Sequence, residues 1–144
     1  MNYRQIHVQS SKEEIVAKIA RWHNETPRLW MPEYEPTEKE INETIARMTN
    51  EDCYIGIAED ETIKGFIWAE KQDLDVMILS LYVDESARQQ NIGTYLKEAL
   101  ETWCKIEGIR KIKTTVHSKN KKMIAMNEKL GYEPKMIHME KIIE

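Results

Sequence analysis

Arg88-Gln89-Gln90-Asn91-Ile92-Gly93 follows an apolar run, Val76 to Val83, and opens into a stretch of helical periodicity. The chemistry this arrangement suits is anion binding. The first N–H groups of a helix have no intrahelical acceptor, and the helix dipole adds partial positive charge at the same place. Arg88 puts a cation at the start of the loop. Asn91 and Gly93 are residue types that tolerate positive φ or close backbone approach. Gln89, Gln90, Asn91, Ile92, Gly93 and Thr94 are therefore candidate backbone donors to a pyrophosphate. A single glycine after a strand is also an ordinary strand-to-helix turn, so the loop needs a second signature.

That signature is Asn120 to Tyr132, a short amphipathic segment stopped by Gly131, with an aromatic residue opening the next element. Taken in this order, the two stretches resemble the GNAT superfamily of acetyl-CoA-dependent N-acetyltransferases. Its pattern is Arg/Gln-x-x-Gly-x-Gly/Ala after a strand ending Leu-x-Val, then Glu-Lys-x-Gly-Phe/Tyr. Leu81-Tyr82-Val83, Arg88, Gly93 and Glu128 to Tyr132 match, and Asn91 stands where the family prefers glycine. Before Leu79 the likeness is one of element order alone.

The resemblance implies acetyl-CoA as co-substrate, with its pyrophosphate on the 89–94 amides and its pantetheine amides against the backbone of Leu81 and Val83. Asn120 matches an asparagine that commonly faces the cofactor, and it reads equally well as a helix N-cap. Many relatives carry a proton-donating tyrosine just before Glu-Lys-x-Gly. Here that position is Asn127, which either faces the cofactor or packs the helix. For the base, Glu70 and His117 are candidates, with Asp75 acting through water, and His117 reads also as a structural histidine. The resemblance puts acceptor binding on the first two helices and their loop, where Trp30, Glu33 and Tyr34 are the pocket candidates. Trp22 and Trp68 fall at periodic apolar positions and read as core.

The implied activity is transfer of an acetyl group to a primary amine of a small molecule or protein, by direct attack. The acidic residues before the second helix favour a small cation as acceptor. Cys104 sits in an apolar helical stripe and Cys53 starts a strand, so neither reads as a nucleophile. The alternative is a non-catalytic acyl-CoA-binding sensor or interaction domain, supported by Asn127 and by a central strand with no carboxylate. A nucleotide-binding module ranks behind both, because the loop lacks a P-loop Lys-Ser/Thr pair.

The elements that must position these residues are bounded by composition. The 144 residues, 41% hydrophobic and 32% charged, suit one globular domain over 1–144. No apolar run approaches the ~20 residues of a membrane helix, and the N-terminus lacks the apolar core of a signal peptide. Two cysteines far apart suggest neither a metal site nor a disulfide framework, so a cytoplasmic setting is the default. A net charge of −4 argues against nucleic acid as the main partner.

Periodicity predicts strands over 3–8, 53–58, 63–69, 76–83, 109–116 and 136–142. It predicts helices from Ser11 to Asn24, Thr37 to Met48, Ile92 to Glu107 and Lys119 to Leu130, the first two opened by capping boxes at Ser11-x-x-Glu14 and Thr37-x-x-Glu40. The expected fold is α/β, a single-domain mixed sheet with helices on both faces, similar to the acyl-CoA N-acyltransferase (GNAT-like) fold. There the central strand splays from its successor. A homodimer is compatible with it, because the closing strand offers an edge.

Overall fold

A computed structural model describes residues 1–143; Glu144, the last residue of the expected domain, lies outside the described residues. The strands are β1 (Asn2–Ile6), β2 (Cys53–Glu59), β3 (Ile63–Gln72), β4 (Asp75–Val83) and β5 (Lys111–Thr114). The helices are α1 (Glu13–Asn24), α2 (Glu38–Met48), α3 (Ile92–Glu107) and α4 (Lys121–Lys129). They form a five-stranded mixed sheet in the order β1-β2-β3-β4-β5, antiparallel except for the parallel β4–β5 pair. Asp73, at φ 59°, makes the tight β3–β4 turn, a conformation aspartate adopts more readily than most residues.

One irregularity organises the site. In the β3–β4 ladder Trp68 pairs with Ser80 and Ala69 with Ile78, so Leu79 is an extra residue on β4. Such a bulge bends its strand and sharpens the local twist. It also shifts which side chains face which layer. Val76 and Ile78 point to the α3 side before the bulge, and Leu81 and Val83 do so after it, while Leu79 and Tyr82 face α1 and α2. This is why β4 is apolar at nearly every position: both of its faces are covered.

Each face has its own core. Leu96, Leu100 and Cys104 of α3 pack on Ala58, Ile67, Val76 and Ile78. Ile19 and Trp22 of α1 and Met48 of α2 pack on Ile55, Ile57, Phe66 and Trp68. Trp22 and Trp68 are both buried core residues, with Trp22 against Phe66 and Tyr82. Among the described residues no helix is long and apolar enough to cross a membrane.

Three local expectations need correction. The capping box at Ser11 does not form. Lys12 is the N-cap of α1, and the Ser11 hydroxyl donates instead to the His7 carbonyl at 2.7 Å, closing a short 3₁₀ turn that ends β1 early. The fifth strand is only 4 residues long, because its pairing with β4 ends at Ile78–Thr114. The closing strand over 136–142 is absent: residues 133–143 join no ladder. A strand exists only by pairing, and within one chain these apolar residues meet no partner.

The capping box at Thr37 does form. Its hydroxyl accepts from the Glu40 N–H at 3.1 Å, and Glu40 accepts from the Thr37 N–H at 3.2 Å. Thr37→Ala is expected to cost about 1 kcal/mol, lowering the melting temperature by roughly 2–4 °C in a chain of this size. Thr37→Ser should restore it in a thermal melt.

Candidate active site

The junction between β4 and α3 is built by local chemistry. Asp84 accepts from the Ser86 N–H at 3.3 Å, turning the chain out of β4 into a 3₁₀ turn over Glu85–Ala87. Arg88 then donates from Nε to the Val83 carbonyl at 3.0 Å, and its guanidinium lies over the Tyr82 ring at 5.8 Å. That side chain ties the loop to the end of its own strand. Gln89 and Asn91 follow in left-handed conformations, at φ 66° and 60°. Alternating backbone handedness of this kind turns successive N–H groups toward a common concavity that suits anions.

Every backbone N–H from Gln89 to Thr94 lacks an acceptor among the described residues; the first intrahelical bond is Tyr95 N–H to the Asn91 carbonyl at 3.0 Å. Asn91 is the N-cap, with no side-chain capping bond, so its own side chain does not occupy these donors. Gly93 lets two elements approach. A Cβ there would stand 3.2 Å from Met126 Cε of α4 and 3.8 Å from Leu81 Cδ2 of β4.

Beside this loop β4 has a free edge. β5 accompanies it from Asp75 to Ile78, and from Leu79 to Val83 no strand among the described residues lies on that side. The half-buried backbone of Leu81 and Val83 lines the opening. Past the end of β5, Trp30 stacks on His117, ring centres 4.5 Å apart and planes 16° from parallel. The two rings wall a cavity of about 290 Å³ with Leu29, Asn120 and the lysines 119, 121 and 122.

The sequence pattern of the acetyltransferase (GNAT) family matches residues 16–132. The chain belongs to that family. Among solved structures it is similar to a protein of Staphylococcus aureus subsp. aureus described as a GNAT family acetyltransferase, at 26% identity and a TM-score of 0.68 over 80% of this chain and 100% of that one. A mutant of the BH1408 protein of Bacillus halodurans superposes with a TM-score of 0.78 at 22% identity, covering both chains fully. AAC(6')-Iy, in complex with a CoA-containing bisubstrate analogue, gives 0.70 at 18% identity over 99% of this chain and 98% of that one. No curated protein sequence is significantly similar.

In GNAT terms the chain's departures now have places. Asn127 is buried, and its side-chain oxygen accepts from Lys97 Nζ of α3. Lys97 is itself buried, and its ammonium lies 4.5 Å from the centre of the Tyr132 ring. Burial lowers the Lys97 pKa to about 8 and pushes the Tyr132 phenol up to about 12, with Glu101 adding to the latter. Lys97 escaped sequence reasoning because a lysine beside an apolar stripe reads as solvated; its spacing of one helical turn from Gly93, toward α4, was the available signal.

Asn120 caps α4, accepting from the Met123 N–H at 3.2 Å, while its ring of neighbours is the cavity. His117 accepts at Nδ1 from the Lys119 N–H at 3.1 Å. Glu33 is exposed at the tip of the α1–α2 loop. Tyr34 points the other way, donating to Glu40, which raises the phenol's pKa and lowers the carboxyl's. Glu35 is held by Arg28 at 2.6 Å and Arg21 at 3.9 Å. Of the acceptor candidates only Trp30 reaches the cavity.

The structure does not bring Glu70 to this place. It pairs with Met77 at the opposite end of β4, about 20 Å from Val83 at ~3.3 Å per residue. Its carboxylate accepts from Arg47 Nε and Nη2 at 3.2 and 3.3 Å. Asp75 sits at that same end, where a hydrogen bond from Arg110, helped by Lys111 and Lys113, holds its carboxyl below the usual range.

The buried Lys97 makes stability pH-dependent with a definite sign. Its folded pKa of about 8 lies below the ordinary 10.5. Below pH 8 the lysine is charged in both states and the folded state carries the whole burial penalty; the penalty fades as pH rises toward the unfolded value. Relative to a Lys97→Met variant, the parent should gain on the order of 2 kcal/mol between pH 7.5 and pH 10. Denaturant titrations of both proteins across that range measure it, and a pH-independent gap would refute a buried ammonium.

Proposed function

We propose that this GNAT acetyltransferase moves an acetyl group from acetyl-CoA to the primary amine of a small molecule. The observation that carries the reading is the unbroken run of unpaired N–H groups from Gln89 to Thr94, at a helix N-terminus beside the free edge of β4. Those amides suit a pyrophosphate, and the Leu81 and Val83 backbone suits an amide-bearing arm laid along the strand. Acetyl-CoA supplies the activated acyl group. Among the structural neighbours AAC(6')-Iy and another aminoglycoside acetyltransferase superpose on the fold, which supports an amine as acceptor.

The reaction is direct attack. The amine lone pair forms the new C–N bond at the thioester carbon, the C–S bond breaks, and the thiolate leaves with the electron pair. The cysteines do not suit an acyl-enzyme route. Burial pushes Cys104 up to about 11, and Cys53, also raised by burial, receives the Trp68 indole N–H at 3.3 Å. The leaving thiol, with a pKa of roughly 8.5, departs as thiolate without a dedicated acid. Asn127 therefore serves by holding α4 to α3 through Lys97, not by giving up a proton.

His117 is poorly disposed as a base. Its Nδ1 already accepts from the Lys119 N–H at 3.1 Å, and its ring is engaged in the stack with Trp30. Water in the open cleft is left to accept the amine proton, and the rate should climb with pH as the acceptor amine is deprotonated. His117 acts instead as the stacking support for Trp30. The acceptor surface is Trp30 with the Lys119, Lys121 and Lys122 rim, and the carboxylates expected to attract a cation are exposed at Glu33 or neutralised at Glu35.

The second reading, a non-catalytic acyl-CoA sensor in a reducing cytoplasm, is favoured by the occupied Asn127 and the lack of a free carboxylate in the cleft. Thiol release from acetyl-CoA against a panel of small amines decides between them: a sensor binds without turnover. Acetyl-CoA at one hundred times its dissociation constant should raise the melting temperature by on the order of 5–10 °C, while ATP should not. Trp30→Ala should raise the acceptor KM roughly 2–10-fold, the worth of one aromatic contact, with the acetyl-CoA-induced thermal shift unchanged.

A further inference from the structure

The segment joining β5 to α4 gathers charge that nothing around it offsets. Lys119, Lys121 and Lys122 line the cavity of about 290 Å³ beside the Trp30–His117 stack, and no carboxylate lines it. None of the three forms an ion pair among the described residues. The backbone fixes their positions. The Asn120 N–H donates to the His117 carbonyl at 2.9 Å, the Lys121 N–H to the Lys119 carbonyl at 3.0 Å, and the Lys119 N–H to His117 Nδ1 at 3.1 Å. Lys121 and Lys122 stand in the first turn of α4, which holds no acidic residue and where the helix dipole opposes cations. The α1–α2 loop adds Leu29 and Trp30 to the wall but no counter-charge. Its Glu25 and Glu35 are paired with Arg28, at 2.7 and 2.6 Å, and with Arg21, at 3.6 and 3.9 Å. In a chain of net charge −4, one cavity is thus left with a positive potential.

We propose that the acceptor amine also carries an anionic group, a carboxylate or a phosphate, which the ammonium groups of Lys119, Lys121 and Lys122 hold at the rim of this cavity. The inference rests on the acetyl-transfer reading and names the substrate class of that same site: an amine-bearing anion, not a polycation. Trp30 is 40% exposed, so its stack with His117 leaves indole surface for the carbon frame between the two ends of the acceptor. At about 290 Å³ the cavity lies at the lower end of the about 300–1,000 Å³ of ligand pockets, which suits a small single-frame amine better than a multi-ring amino sugar.

The lysine rim acts twice. It attracts the anionic end, since a cleft lined by one sign of charge concentrates the opposite sign. It also disfavours the ammonium form of the acceptor, because a nearby like charge lowers an amine's pKa, and only the neutral amine has the lone pair that attacks. The step balances as direct transfer. The lone pair forms the C–N bond at the thioester carbon, the C–S pair leaves with the CoA thiolate, and the amine proton passes to water. An aminoglycoside fails at both points, because its several ammonium groups meet like charge at the rim and find no free carboxylate in the wall. The likeness to AAC(6')-Iy, at 18% identity, is one of fold.

The test compares matched amines that differ in the anion: para-aminomethylbenzoate with para-aminomethylbenzamide, and phosphoethanolamine with ethanolamine, alongside a polycationic aminoglycoside. Thiol release from acetyl-CoA gives kcat/KM. Shifts of the Trp30 indole N–H resonance in the presence of CoA, assigned by its loss in Trp30→Phe, give binding without turnover. In at least one pair the anionic member should be preferred by roughly 5–50-fold, the combined worth of three exposed charge pairs, with the carboxylate and phosphate arms showing which anion is taken. The preference should shrink as salt is raised, and the aminoglycoside should be the poorest acceptor. A Lys119→Gln, Lys121→Gln, Lys122→Gln triple variant changes only exposed side chains. It should abolish the preference through the acceptor KM and leave the acetyl-CoA KM in place. Equal use of anionic and neutral partners, binding of neither, a preference for the aminoglycoside, or a triple variant whose loss falls on the acetyl-CoA KM would each overturn the proposal. Selective binding of the anionic amines with no thiol release from any amine would keep the anion site and overturn the acetyl-transfer reading instead.

Discussion

Everything distinctive about this site follows from one extra residue in β4. The bulge at Leu79 coincides with the last rung between β4 and β5, at Ile78 and Thr114. Before it, β4 is hydrogen-bonded on both edges; after it, on one. A strand that bends away from its neighbour leaves a row of backbone groups open toward the cleft, and in a well-packed sheet such groups would otherwise be paired. The left-handed residues at Gln89 and Asn91 extend the same opening onto the start of α3. The free edge and the free helix N-terminus thus adjoin, giving one polar backbone surface that runs from Leu81 to Thr94.

The walls of that surface are held by polar contacts at a distance from it. Lys97, Asn127 and Tyr132 join α3 to α4 through a buried ammonium, an amide oxygen and an aromatic face, with Gly93 and Met126 in contact one turn away. A buried charge with an amide as its hydrogen-bond partner is a poor source of stability. It does fix how the two helices meet, because only one arrangement satisfies it. Elsewhere carboxylates that looked available are structural. Glu70 is bound by Arg47, Asp75 by three cations, and Glu35 by Arg28 and Arg21. The cleft is left with lysines and aromatic rings although the chain as a whole is acidic.

Much of the scaffold could be read from residues in order. The spacing of Ile41, Ile45 and Met48 after the Thr37 box marks α2, and the stripe from Ile92 to Trp103 marks α3, because helix periodicity and capping are properties of neighbouring residues. The anion loop was legible for the same reason: Arg88, Asn91 and Gly93 report local backbone needs. Gln89 at positive φ was not, since glutamine carries no such preference and the conformation is imposed by the ends of the loop. The unformed Ser11 box shows the limit from the other direction, a good local motif overridden once the chain turns early after Ile6.

The sequence by itself determined the family, the order of elements as far as α4 and the loop at the end of the central strand, all of which depend on interactions between residues close along the chain. Tertiary structure alone decided which side chains share the cleft. It set Trp30 against His117 across an interval of the chain that no periodicity spans, sent Tyr34 and Glu35 into the scaffold, and separated Glu70 from the loop by the length of β4. It also left the tail from Met136 to Ile143 unpaired. Strand character in a sequence records a side-chain pattern, whereas a strand in a fold requires a ladder of hydrogen bonds from another segment, and where that segment lies is not written in the pattern.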